Sequence, residues 1–365
     1  MGFLQKLFGT KSKAKKSNAD FWNWFQINSK VFFDIVKKQN NVEKGFLNKL
    51  SPKLNEIRSG FYFLTGMFDD NTAELIITAD GEIKNLFFVE ELVQSAPHIE
   101  GWKFTALKPA SDIEKVSIKF SGHKFDKNSL HFYPVDNINF PDEINITVVH
   151  NDFNDTNNQT ITTGIQIFLD NYLGELNFAT TIDNLTIVNN YEASNNLVPI
   201  EKLNDFLIWR QKEFVEKYEG SRYDTENDTY STLTAELANG RPLVAIINTD
   251  LLDWDRKASH PWILNVEIKF DGKDNNGMPS KNEYQLLNEI EDNISKELKD
   301  FEGYLNIGRQ TANGDRDIYF ACKDFRRPSN VLSQIQSKYT DRIAIEYIIY
   351  KDKYWQTLSH FNGSS

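Results

Sequence analysis

The chain has 365 residues, 40% of them hydrophobic, with 27 Phe, 14 Tyr and 7 Trp, which is enough for a packed core in each of two domains and too apolar for disorder over most of its length. Its single cysteine, Cys322, excludes an internal disulfide framework, and no window reaches the roughly 18 consecutive apolar residues that a membrane span requires. The net charge of −11 is uneven: residues 1–20 carry +4 and the rest −15, a body that repels phosphate backbones, argues against nucleic-acid binding and favours a cationic protein partner.

Residues 1–20 read as a basic flexible tail. Phe3, Leu4, Leu7 and Phe8 ahead of the lysines of residues 11–16 make too short an apolar turn for peripheral membrane contact, so none is expected from residues 1–16. Neither a secretory leader nor a myristoylation pattern is present, since Lys6 stands where the latter needs Ser or Thr. A soluble cytoplasmic protein is the expectation. Residues 21–57 carry a helical stripe (Phe25, Phe32, Val36, then Phe46, Leu50, Leu54) interrupted by Gly45 and Pro52.

Residues 58–190 follow the order strand, strand, helix, strand, strand, helix, strand. Phe61–Phe68 and Ala73–Ala79 form a hairpin, a helix runs through Phe88 and Leu92, and strands follow at 102–108, 116–120, 130–135 and 144–150. A second helix spans 161–173, ended by Gly174, and a strand at 185–188 closes the set. Alternating strands bury one face, and an amphipathic helix must cover it, which predicts a two-layer α+β sandwich. Residues 191–224 read as a linker whose helix, from Pro199 to about Tyr218, packs through Leu203, Phe206 and Leu207.

Residues 225–360 repeat the pattern. Two Asn-Gly pairs, at 239–240 and 313–314, mark tight hairpins, because both central residues of the favoured turn need positive φ. The clearest helix in the chain, about 281–300, carries the stripe Tyr284, Leu287, Ile290, Ile294, Leu298 and opens with the capping-box pair Ser280 and Glu283. The fold class is therefore α+β: two tandem two-layer sandwich units, an N-terminal helical segment and a linking helix.

The stretch GMPSKNE at 277–283 before an acidic-apolar helix, then Asn313-Gly314 with Arg316, Tyr319 and Phe320 on the return strand, and Asp352 to Trp355 near the end, resembles the bacterial domain-of-unknown-function family numbered 695. Phe61 to Pro109 and Gly164 to Leu176 are similar to the upstream part of larger proteins that carry this domain. The resemblance covers about residues 225–360 and implies a ferredoxin-like second unit, a fold used by regulators that include an inhibitor of a ribonuclease. It implies no catalytic residues; Arg316 and Trp355 are its matched positions, with no role attached.

Among chemistries, phosphate-cradling loops are absent, and no histidine pair or Cys-His cluster has metal spacing. Asp274, Asn276, Gly277 and Glu283 sit at calcium-loop positions, but Gly272 occupies the first ligand position, so a capped strand-to-helix loop is expected. His150 to Asp155 offers oxygens and an imidazole, and reads as an exposed loop. Cys322 shares spacing two with Ile318 and Phe320, which points to a buried inert thiol. No cofactor, metal or catalytic residue is expected.

The one candidate interaction loop is Asp250 to Trp262. It joins two core strands, exceeds the usual hairpin length, and sets Asp250, Asp253 and Asp255 around Trp254, His260 and Trp262, aromatic anchors in a charged rim. These features predict a non-enzymatic binding or regulatory protein, an acidic inhibitor or immunity-type partner of a basic nuclease or toxin. The alternative is a hydrolase with a carboxylate-lined cleft between its domains.

Overall fold

The computed structural model describes residues 16–190, 196–221 and 223–362. The tail through residue 15, on which the membrane-contact reading rests, lies outside them. Among the described residues no helix is long and apolar enough to cross a membrane. The chain forms two compact units, one running to Ser111 with Asp170–Asn177 added, the other comprising Asp112–Leu169 and everything from Phe178.

In the first unit, α1 (Asn18–Lys38) begins three residues before the sequence stripe, because Ser17 and Asp20 close a reciprocal capping box. After a π-helical turn at Glu43–Leu47, α2 (Asn48–Ile57) leads into the hairpin β1 (Tyr62–Asp69) and β2 (Thr72–Thr78). Next, α3 (Ile83–Gln94) crosses over to β3 (Trp102–Ala106), which pairs parallel to β2, giving the sheet order β1-β2-β3. Aromatic rings fill the core: Trp22 lies 4.5 Å from Phe104, Phe25 4.9 Å from Trp102 and Phe32 4.9 Å from Phe46. Both buried indoles reach acceptors, Trp22 donating to the Leu92 carbonyl at 2.8 Å and Trp102 to that of Ser29 at 3.1 Å.

The strands of residues 58–190, read as one two-layer sandwich, divide among three sheets. The chain leaves the first sheet after β3, where the fully buried Glu175 takes over its backbone. Glu175 Oε1 accepts from the amides of Ala79 and Gly81, both at 3.0 Å, and Oε2 from the Lys108 amide at 3.0 Å and the Thr78 hydroxyl at 2.5 Å. The Glu175 amide in turn donates to the Lys108 carbonyl at 2.9 Å. Gly174 must precede it, since a Cβ there would stand 2.7 Å from the Ala110 nitrogen at φ +80°.

The second unit opens with the short hairpin β4 (Ile118–Phe120) and β5 (His123–Phe125). A four-stranded sheet follows, built from β6 (Leu130–Val135), β7 (Asn145–His150), β8 (Asn184–Val188) and β9 (Val198–Pro199) in the order β8-β7-β6-β9. Helices α4 (Asn158–Leu173) and α5 (Glu175–Thr181) stand between β7 and β8, and α6 (Leu203–Tyr218) is the linking helix expected from its stripe.

The remainder is one antiparallel six-stranded sheet. Its strands are β10 (Tyr230–Glu236), β11 (Pro242–Asn248), β12 (Trp262–Lys269), β13 (Tyr304–Ala312), β14 (Asp315–Cys322) and β15 (Ala344–Lys351), with the one-turn α7 (Thr249–Leu252) after β11. The order is β10-β11-β13-β14-β12-β15, with α8 (Lys281–Glu297) joining β12 to β13 and α9 (Arg326–Tyr339) joining β14 to β15. Asn313 (φ 53°) and Gly314 (φ 88°) make the two-residue turn between β13 and β14, as the Asn-Gly signal requires. The helices pack together on one face, where the Tyr339 hydroxyl donates to Glu289 at 2.7 Å. Among the described residues the other face is covered at one end, where Ile247, Ile263, Leu305, Tyr319 and Ala321 pack beneath Trp355, Leu358 and Phe361 of the C-terminal segment.

Candidate functional site

The loop from Asp250 to Trp262 separates into parts with different jobs. Asn248 caps α7 by accepting from the Leu251 amide at 3.1 Å, and Asp250 accepts from the Thr229 amide at 2.9 Å, which ties the loop to the start of β10. Asp253 and Asp255 stand in solvent. Trp254, half-buried, meets Tyr223 at 5.0 Å, His260 at 5.4 Å and Trp355 at 6.1 Å. Trp262 turns to the helix-covered face instead and packs edge-on against Phe325 at 5.0 Å. One-residue alternation along a strand sends neighbours to opposite faces, which separates Trp262 from the other two tryptophans.

His260 is 2% exposed. Its Nδ1 lies 2.8 Å from the Ser259 hydroxyl, its carbonyl accepts from the Trp355 indole at 3.0 Å, and Nε2 is buried without a partner among the described residues. Burial, helped by the charge of Lys323, pushes the imidazole down to about 4. It is a neutral packing group at pH 7.

Arg316 lies on the helix face. Its Nε donates to the Thr311 hydroxyl at 3.1 Å and its Nη1 to the Asn288 side chain at 2.9 Å, with Glu291 3.9 Å away and the Tyr284 ring below. Burial, and the like charge of Arg309, bring the guanidinium down to about 10, still a cation at neutral pH. Both family-matched residues, Arg316 and Trp355, are thus core contacts of the six-stranded sheet.

Three other sequence candidates resolve in the same way. Glu283 closes its capping box by accepting from the Ser280 amide at 2.8 Å, and its other oxygen accepts from the Asp271 amide at 2.9 Å. His150 has both nitrogens occupied: Nδ1 accepts from the Asp152 amide at 3.1 Å, and Nε2 lies 3.3 Å from the Lys124 carbonyl. Cys322 is fully buried, and burial pushes its thiol well up.

The half of the sheet face that Trp355, Leu358 and Phe361 leave uncovered is acidic. Pairing across β13, β14, β12 and β15 sets Gln310, Asp317, Glu267 and Glu346 in one row, three carboxylates on adjacent strands. Asp315 and Lys269 face each other one step along. Gln310 donates to Asp317 at 3.1 Å and Lys269 contacts Glu267 at 2.8 Å. Burial, then the neighbouring carboxylates, hold Asp315 and Asp317 above the ordinary range, only partly offset by Lys269 at Asp315 and by the hydrogen bond from Gln310 at Asp317. Ile348, 52% exposed, adjoins the row on β15. The charged residues at alternate positions of β12 and β14 mark a polar strand face in the sequence, but the row exists only once the strand order is known.

A second cluster missed by sequence reasoning lies between the four- and six-stranded sheets of this unit. Asp183 bridges Lys351 and Lys353, each at 2.8 Å, while Asp142 receives Lys217 at 2.6 Å, Tyr218 at 2.7 Å and Tyr354 at 2.5 Å. Burial brings Lys351 down to about 8 and lowers Lys353 as well. Beside this cluster opens a cavity of about 340 Å³ formed by Phe140, Leu252, Lys257 and the C-terminal segment from Tyr354 to Asn362.

No curated protein and no solved structure matches the chain. The C-terminal part, residues 232–361, which contains all but the first two residues of the six-stranded sheet together with the loop and the acidic row, matches the family of unknown function DUF695, as its motifs led us to expect.

Proposed function

We propose that the chain is a non-enzymatic binding or regulatory protein that presents the carboxylate row of Asp317, Glu267 and Glu346 to a cationic protein partner, as an acidic inhibitor or immunity-type protein does to a basic nuclease or toxin. The supporting observation is the row itself. Like charges placed opposite one another across strands destabilise a sheet, by up to about 1 kcal/mol per pair, and a lysine- or arginine-bearing surface would relieve that repulsion. The exposed Ile348 adds an apolar contact at its edge. The strand order β13-β14-β12-β15 with α8 and α9 as connections supports a ferredoxin-like reading of this part, extended by the hairpin of β10 and β11. The buried lone thiol fits a cytoplasmic setting.

The test is affinity capture from native lysate at low and high salt with the wild type and with the triple variant E267Q/D317N/E346Q, followed by reconstitution with the purified partner. A basic protein retained at low salt by the wild type and lost with the variant is the expected result. Recovery of the same proteins by both baits would remove the proposal.

A further inference from the structure

The cavity beside Trp355 has a lining that the carboxylate row does not explain, and its argument stands independently of that row. Three of its lining residues, Leu252, Trp355 and Leu358, belong to the sheet's apolar core and are 7%, 2% and 1% exposed, so core packing fixes this part of the lining and leaves only narrow apolar edges facing the pocket. Its polar groups divide into two kinds. The Gln356 side chain donates through Nε2 to Glu143 at 3.0 Å and the Tyr354 hydroxyl to Asp142 at 2.5 Å, so both are committed within the fold. Lys257 is not. It is half-buried, with its ammonium 5.9 Å from the centre of the Trp355 ring, and no carboxylate among the described residues lies within ion-pair distance. The Ser359 hydroxyl at the rim has no partner among the described residues either.

A cation held against apolar walls with only the more distant charge of Asp253 to offset it is an unfinished ion pair, since removing a charge from water costs free energy that a contacting opposite charge or hydrogen-bond acceptors return. Lowering of the Lys257 pKa by burial, only partly offset by the charge of Asp253, is in keeping with that cost. One lysine matches one negative charge. The apolar walls disfavour a strongly hydrated inorganic anion and favour an organic one whose body they can cover. With a water-sized volume of about 30 Å³ per ligand atom, the cavity takes about ten non-hydrogen atoms.

We propose that this cavity is a binding site for a monocarboxylate with an apolar body, its carboxylate paired with Lys257 and hydrogen-bonded by Ser359, and its body against Trp355, Leu252 and Leu358. The carboxylate belongs either to a free organic acid or to the C-terminus of a peptide ending in an apolar residue.

The probe is 4-fluorophenylacetate, followed by its fluorine resonance on titration with the full chain. A ligand of this size is expected to bind with Kd on the order of a millimolar. The neutral isostere 4-fluorophenylacetamide and the variant K257M, which keeps the methylene stem, should each weaken binding at least tenfold, and inorganic phosphate should not compete. A short peptide ending in a free phenylalanine carboxylate, compared with its amidated form, decides between the two sources. Equal binding of acid and amide overturns the proposal, as does unchanged affinity in K257M. So does the absence of any response to the acid at about ten times the expected Kd. The amide comparison uses the unaltered protein, so the result does not depend on the folding of K257M.

Discussion

Lowering the pH from 7 to 5 should selectively weaken the part of the molecule around His260. In the fold this imidazole titrates at about 4, whereas an unfolded histidine titrates near 6.5. Between those values the unfolded chain binds a proton that the folded chain refuses, so stability is fully present above about pH 6.5 and is lost as pH falls towards 4. The total is about 3 kcal/mol, and the portion lost between pH 7 and pH 5 is about 2 kcal/mol. The physical reason is visible in the structure: a proton on Nε2 would place a charge where no acceptor stands among the described residues. Urea unfolding at pH 7, 6 and 5, followed by tryptophan fluorescence, measures the loss. The control is H260N, which can replace the contact from Nδ1 to Ser259 but cannot titrate. The missing ring lowers its stability at every pH, so only the slope is compared, and other groups cancel between the two proteins. Wild type should lose about 2 kcal/mol more than H260N over this interval. Parallel decline of the two, or a ring resonance of His260 that titrates near 6.5, would refute the reasoning.

In the first unit, E175A removes the acceptor of three backbone amides and a hydroxyl at once, and should cost about 3–5 kcal/mol, read as early loss of hydrogen-exchange protection around residues 78–81 and 108; protection equal to wild type would show that the clamp is dispensable. D183N leaves Lys351 and Lys353 buried without their shared counter-ion and should cost a similar amount at pH 7, with the deficit shrinking as pH rises through about 8, where Lys351 sheds its proton in the wild-type fold, and levelling off beyond it; a deficit unchanged between pH 7 and pH 10 contradicts this. In contrast, D317N should raise stability at neutral pH by about 0.2–1 kcal/mol by easing the repulsion from Glu267, and chemical denaturation that finds it destabilised would mean the row is not electrostatically strained.

Features set by local geometry were legible in the chain. Ser280 and Glu283 announce a capping box that depends on three-residue spacing, and Asn313-Gly314 announces a turn that depends on positive φ. The alternation of Ile318, Phe320 and Cys322 placed the thiol inside. What escaped reading depends on which distant segments meet. Glu175 gives no sign in sequence that it will hold residues 78–81 and 108, and Asp183 gives none that it will sit between Lys351 and Lys353. The same limit applied to the loop. Trp254, His260 and Trp355 converge while Trp262 departs, an outcome fixed by strand parity and by the arrival of a segment almost a hundred residues later.

The position of Glu175 also has a consequence for biosynthesis. The first unit is discontinuous: its sheet is complete in the nascent chain by residue 106, yet the carboxylate that holds its loops is added only after nearly seventy further residues. At about 5–20 residues per second, a ribosome leaves those loops without their acceptor for roughly 3–14 seconds. During that interval the amides of Ala79, Gly81 and Lys108 have only solvent or passing partners, so a chain stalled or cleaved in this window would present a part-finished sheet to chaperones and proteases.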